Sequence, residues 1–349
     1  MVGPAKSGPT GAAVARAGAL PLAFVAALVL ATMLGDVALP ANEIVRILLH
    51  AAGVYGDKGI SAQDQAIVLA IRLPRVITAA LVGACLSVAG ALFQAVLRNP
   101  LADPYVIGTS AGAGFGVGLA LLLPLQIEIF GFGAIQLFAF AGALITVFFV
   151  YGLARSRGRT PVVTLLLSGF VVSSFLISAT SLVMQLGGRL DQVTRWTLGS
   201  VYALTGQQLA GIGTVVALSI GGAYMLSRQL DVLALGEEHA FHLGVRVEQV
   251  KVVAIVLAAL LTGLSVSMAG VIAFVGLVVP HTMRLLYGAR HRTLLASSAI
   301  GGAIFLMLCD LVARVAIAPT TLSLGIVTAV LGAPLFLHLL RRSKREYVL

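Results

Sequence analysis

Charged residues are scarce in this sequence: Asp, Glu, Lys and Arg make up 10% of its 349 positions, where a soluble domain carries about 25%. So few polar groups could not cover the surface of a water-soluble core, which excludes an ordinary globular domain. Cysteine is nearly missing. Only Cys85 and Cys309 occur, each inside an apolar run, so a disulfide framework or cysteine metal site is excluded and both are read as packing residues. No G-x-x-x-x-G-K-[ST] string is present, so the chain binds no ATP through a P-loop. The depths of the apolar runs hold no acidic or basic residues of the kind that ion-coupled carriers and pumps use, although backbone groups alone bind ions in some carriers. No convergent set of acid, base or metal ligands stands out, so no catalytic residue and no metal ligand is assigned.

What is present is apolar. Hydrophobic residues account for 59% of the chain, in long continuous runs instead of alternating ones, which points to helices rather than a barrel. At roughly 20 residues per span, the length accommodates about ten. The runs predict spans over 18–34, 74–97, a Gly-rich stretch ending near 124, then 132–153, 161–184, 209–226, 250–268, 271–287, 294–313 and 323–340. The fold class is therefore an all-α integral membrane protein. One domain covers 17–341, between a disordered tail at 1–16 and a short tail at 342–349. The first span lacks a convincing cleavage site and is read as retained. The segment from Pro40 to His50 is amphipathic and is expected to lie along the outer membrane surface, followed by a Gly-punctuated loop from Gly53 to Gln65.

A net charge of +10 would suggest nucleic acid in a soluble chain. Here the basic residues sit in short loops. With the N-terminus inside, sixteen of the 23 Lys and Arg residues fall on the inner side and seven outside. The positive-inside rule then places both termini in the cytoplasm and makes the lipid bilayer, not nucleic acid, the partner.

Several strings stand out. The run from Gly108 to Gly118 looks like a phosphate loop but lacks the lysine; its Gly112/Gly116 and Gly114/Gly118 spacings suit close helix packing. Arg72-Leu73-Pro74-Arg75 puts two arginines at the outer mouth of the second span, where interfacial anchoring is the bland reading. Arg98-Asn99-Pro100-Leu101-Ala102-Asp103-Pro104 makes a tight connection. The longest interior polar segment, about 228–249, contains Leu235-Gly236-Glu237-Glu238-His239-Ala240-Phe241-His242-Leu243-Gly244, which could form a short surface helix. In Gly276-Leu277-Val278-Val279-Pro280-His281-Thr282-Met283-Arg284, Pro280 weakens the helix and His281 is read as a structural hydrogen-bonding group. Asp310 and Arg314 share a helical face and suit a local ion pair.

In this order and at these separations the strings resemble the FecCD permease family, the membrane subunits of ABC importers for iron–siderophore complexes, haem and vitamin B12. Trp196-Thr197-Leu198-Gly199-Ser200 and Gly325-Ile326-Val327-Thr328-Ala329 with Gly332-Ala333-Pro334 fit as well, and the match runs from about Arg72 to Leu340. The resemblance implies the type II ABC importer permease architecture in the inner (plasma) membrane of a bacterial cell. It implies a homodimer with the path along its axis, two ATP-binding cassette subunits inside and a periplasmic or extracellular substrate-binding protein outside. The chain itself would need no cofactor, since ATP and Mg belong to the ATPase subunits.

The resemblance also assigns residues. Gly236, Glu237, Ala240, Leu243 and Gly244 would seat a coupling helix in the ATPase. Arg72, Arg75 and Arg314 would meet acids on the binding protein, as arginine forks suit carboxylates. Thr160, Val162, Val163 and Thr164 would lie at a cytoplasmic gate, with Ser168, Ser173, Ser174 and Ser178 lining the path. Ordinary interhelical hydrogen bonding competes for those serines. Where the family often has E-L-P-V-G, this chain has Thr321-Leu322-Ser323-Leu324-Gly325, which puts family contacts at that outer corner in question. The expected cargo is an iron–siderophore or related metal chelate, with haem and vitamin B12 as alternatives. An ion-coupled secondary transporter is the rival of another class.

Overall fold

The computed structural model describes residues 11–54, 56, 60–123, 125–156, 160–188, 190–318 and 320–344, with side chains of 11–17, 190 and 339–344 left aside. The expected tail at 342–349 and the basic loop at 157–159 thus lie largely outside the described residues. Helix α1 spans Gly11–Met33, so helix begins inside the stretch expected to be a disordered tail. The amphipathic α2 (Ala41–Ala51) buries Ile44 and Ile47, which pack on Val68.

The second span starts earlier than its proline suggested. Helix α3 (Ala62–Ala66) runs through a π-helical turn, Ile67–Arg72, directly into α4 (Leu73–Val96). Pro74 lacks an N–H and its ring would crowd the carbonyl four residues earlier; the wider turn before it lets the helix continue. Beyond α4 come α5 (Thr109–Leu122), a two-residue ribbon pairing β1 (Glu128–Ile129) with β2 (Phe132–Gly133), α6 (Ala134–Ala154) and α7 (Val162–Gly187). Short α8 (Leu190–Thr197) precedes α9 (Gly206–Met225), which opens on a reciprocal Thr205/Gln208 capping box. Then follow α10 (Ser227–Leu233), α11 (Glu237–His242), α12 (Val247–Ala269), α13 (Val275–Tyr287), α14 (His291–Val315) and α15 (Leu324–Lys344).

Among the described residues, six helical stretches are long and apolar enough to cross a membrane: 62–97, α6, α7, α9, α12 and α14. Shorter apolar helices lie within α1, α5 and α15. Together with α13 they occupy the stretches that hydropathy marked out.

Helix α4 is the axis of the bundle, buried along most of its length and packed on α14, α12 and α13. In lipid there is no hydrophobic drive between helices, so close approach of small residues has to hold them together. Its Ala, Gly and Ser content permits this: a Cβ on Gly83 would overlap the carbonyl of Gly302 in α14, and one on Gly90 the carbonyl of Gly276 in α13. Gly112 and Gly116 meet α6 in the same manner, as their spacing predicted, whereas Gly114 faces open space.

Backbone breaks inside the bundle are satisfied by the strings that the sequence singled out. The chain breaks between α12 and α13, where Tyr105 donates its hydroxyl to the Ile272 carbonyl (3.2 Å) and accepts from the Ile272 N–H (3.1 Å). Tyr105 follows directly on the Arg98–Pro104 connection. The carbonyls of Leu198 and Gly199 accept from the Gly325 and Leu324 N–H groups, capping donors that the first turn of α15 would otherwise leave unpaired.

Candidate functional site

On one face of the bundle, α11 stands as a one-and-a-half-turn helix between two glycines at positive φ, Gly236 (114°) and Gly244 (82°). Those backbone angles favour glycine and let the chain enter and leave the short helix sharply. Ala240 points into the bundle and is fully buried, while Leu235, Phe241 (71% exposed) and Leu243 point outward. Three large apolar side chains thus bracket an otherwise polar segment. Phe241 did not stand out in the sequence, where an aromatic in a solvated loop carries no pattern. A cavity of about 640 Å³ separates α11 from the start of α7; it is lined by Arg98, Pro161, Val162, Val163 and Leu235 to His239.

The start of α7 is anchored. Thr160 is buried; its N–H donates to Glu248 Oε1 (3.4 Å) and its carbonyl accepts from Lys251 Nζ (2.8 Å). Val163 and Thr164 are exposed, and Val162 is half-buried. Farther along, α7 is the most exposed of the six long apolar helices. Ser174 and Ser178 are exposed and Ser168 and Ser173 half-buried. The hydroxyls of Ser173, Ser174 and Ser178 donate to carbonyls four residues back on α7, so these bonds stay within their own helix. A different group of hydroxyls lines a second cavity, of about 320 Å³, between α5, α7 and α8: Ser110, Thr180, Ser181, Thr194 and Thr197. Sequence spacing on α7 alone could not bring α5 and α8 to that wall.

At the opposite end, the arginines expected to face a partner are mostly used inside the chain. Asp310 is fully buried and takes Arg314 Nε on one carboxylate oxygen (2.8 Å) and Arg75 on the other (3.0 Å). Arg314 also donates to the carbonyls of Leu34 (3.1 Å) and Ala31 (2.9 Å). Arg72 donates to Val37 (2.7 Å), Thr32 and Met33. Two guanidinium groups therefore satisfy the last carbonyls of α1 and the turn after it, where orphan acceptors and the negative helix end favour cations.

Arg72 and Arg314, expected to meet acids on the binding protein, are each only 3% exposed and donate to carbonyls of α1 and the turn after it. The expected Asp310–Arg314 ion pair is present. Arg75 remains open: its side chain is 21% exposed and lines an outer cavity of about 720 Å³ with Arg195, Gln136, Gln192, Tyr202, Thr321 and Ser323. Thr321 and Ser323, where the family often has an acid and a proline, thus sit on the same wall as Arg75. His281 differs from expectation too. Both its ring nitrogens are buried without a hydrogen-bond partner among the described residues.

A bundle of apolar helices, six of its described stretches long enough to cross a membrane, with exposed apolar side chains around a short helix at one end and a cleft lined by Arg75 and Arg195 at the other, defines a polytopic membrane protein. The model of the FecCD transport family matches residues 23–342, and the chain belongs to that family. It is 41% identical over 286 residues to the cobalamin import system permease protein BtuC of Halobacterium salinarum, covering 81% of this chain and 75% of that one. It is 39% identical over 283 residues to the Fe(3+)-citrate import system permease protein YfmD of Bacillus subtilis, covering 81% and 84%. An inward-facing structure of a metal-chelate type ABC transporter superposes with a TM-score of 0.78 at 28% identity, over 94% of this chain and 99% of that one. The protein is thus a multi-pass inner-membrane permease component of an ABC importer, a transport subunit and not an enzyme.

Proposed function

We propose that two copies of this chain form the translocation unit of a binding-protein-dependent importer for a metal chelate, with ten spans per copy and both termini cytoplasmic. The observation that carries this reading is the exposed trio Leu235, Phe241 and Leu243 around α11. Apolar groups brought together on a charged loop suit a groove on a partner protein, and positive-inside counting puts this loop in the cytoplasm with the ATPase. Gly236, Glu237, Ala240, Leu243 and Gly244 form the coupling segment. ATP and Mg are held by the ATPase, and this chain takes no cofactor.

The exposed side of α7 faces the second copy. Thr160, Val162, Val163 and Thr164 form the inner gate, and Ser168, Ser174 and Ser178 line the path above it. With their protons returned to their own helix, the Ser174 and Ser178 hydroxyls present mainly acceptor lone pairs and grip a cargo weakly, which suits a conduit. At the outer end, Arg75 receives an acid from the binding protein.

An iron–siderophore or ferric chelate is the leading cargo, supported by the ferric-citrate relative. Cobalamin is the second reading, supported by the 41% identical relative. The deciding experiment reconstitutes this chain in proteoliposomes with its ATPase and binding protein, and measures ATP-driven uptake of ferric siderophores, ferric citrate, haem and cobalamin. Uptake of one of these only when all three proteins and ATP are present is expected. Uptake by this chain alone, driven by an ion gradient, would overturn the reading.

A further inference from the structure

The Lys251 side chain lies deep at the α11 end of the bundle, only 2% exposed. Its ammonium meets three acceptors from three elements: Glu237 Oε1 on α11 (3.2 Å), Glu248 Oε1 one turn earlier on α12 (3.1 Å) and the Thr160 carbonyl just before α7 (2.8 Å). An ammonium has three N–H donors and no acceptor, so this set saturates it. Glu248 Oε1 also takes the Thr160 N–H, so both ends of that residue are held from α12.

The geometry around this contact is otherwise loose. Helix α11 packs on α10 and α12, whereas α7 packs on α5, α6 and α8. Between α11 and the start of α7 lies the 640 Å³ cavity. Glu237, one of the acceptors of Lys251, is part of the cavity's wall.

We infer that Lys251 is the positioning residue that ties α11 to the start of α7, so that displacement of α11 by its partner is delivered to the gate. This rests on the docking of α11 and the gate role of α7 proposed above. The physical reason is that a buried ammonium gives up a charge-assisted bond when it loses an acceptor, and such bonds are stronger than neutral ones. Moving α11 away from α7 would break such a bond. Moving the two together with the start of α12, which carries Lys251 and Glu248, keeps all three.

The test uses the assembled complex of this chain with its ATPase and binding protein. Lys251→Met keeps the apolar stem and removes the charge, and Lys251→Arg restores a cation. The readouts are substrate moved per ATP hydrolysed, and the distance between spin labels at Glu238→Cys and Val163→Cys, which flank the cavity. In the Lys251 background the label distance should stay narrow and unchanged between nucleotide-free and ATP-bound states. In Lys251→Met it should broaden or shift with nucleotide, and transport per ATP should fall about tenfold, in the usual range for coupled sites. Lys251→Arg should recover most of that ratio.

An assembled Lys251→Met complex with an unchanged ratio would overturn the inference while leaving the docking of α11 in place. Should Lys251→Met fail to assemble, the distance in the Lys251 background still decides, because a nucleotide-dependent change there overturns the tie. Phe241→Asp separates the two claims: if it leaves ATPase binding intact, the docking reading fails instead.

Discussion

Removing the Asp310 carboxylate tests whether the outer arginines are structural. Asp310 is fully buried and serves Arg314 and Arg75 together. In Asp310→Ala, Arg314 keeps only the Leu34 and Ala31 carbonyls and becomes a buried charge without a counter-ion, a situation that costs about 3–5 kcal/mol. Arg75 can reach water, so its share adds only about 0.2–1 kcal/mol. Asp310→Ala/Arg314→Leu removes the stranded charge as well. What remains lost is the donor to two carbonyls at the end of α1, about 1 kcal/mol each. The double variant should therefore be more stable than the single one. Equilibrium unfolding in mixed detergent micelles, followed by the fluorescence of Trp196 (the only tryptophan) and far-UV circular dichroism, reads both. A single variant within about 1 kcal/mol of the parent, or a double variant less stable than the single, would refute the argument.

Other consequences follow from the same geometry. Arg75→Gln should slow association with the binding protein about tenfold and flatten its salt dependence, measured by surface plasmon resonance; an unchanged on-rate would remove Arg75 from the docking surface. Arg72→Met should instead lower stability by about 1–3 kcal/mol through the carbonyls it abandons, and leave that on-rate alone. Gly83→Leu should destabilise by at least about 1–3 kcal/mol, since its side chain would enter the Gly302 backbone; an unaltered unfolding midpoint would contradict the α4–α14 crossing. Phe241→Asp should weaken ATPase binding by about 2 kcal/mol or more, roughly thirtyfold, while the purified permease stays monodisperse. ATPase recovery at the parent level would count against α11 as the docking element.

Much of the architecture was legible in one dimension. Helix existence follows from hydropathy over about 20 residues, a property of consecutive positions, and all the apolar stretches became helices. Motif order identified the family, because the strings sit where backbone breaks and short helices need particular residues. Gly236 and Gly244 carry positive φ, and Leu198-Gly199 caps α15. The helix start at Ala62 was hidden, since Pro74 looks like a beginning until the π turn before it is seen. The cavity hydroxyls were hidden too, because Ser110, Thr180 and Thr194 come from three helices whose rotation about their axes is set by neighbours.

Sequence alone determined that this chain is a helical membrane permease of the FecCD family, and which loops carry its charges. Only the tertiary structure decided what those charges do. Arg72, Arg75 and Arg314 look alike in sequence, yet two close over α1 and one lines the outer cleft. Lys251 was only one of the sixteen basic residues counted to the inner side until Thr160 and Glu237 were seen to meet it. Hydropathy and motifs are read from neighbouring positions along the chain. Burial and pairing depend on groups tens to hundreds of residues away, so they exist only once the helices have packed.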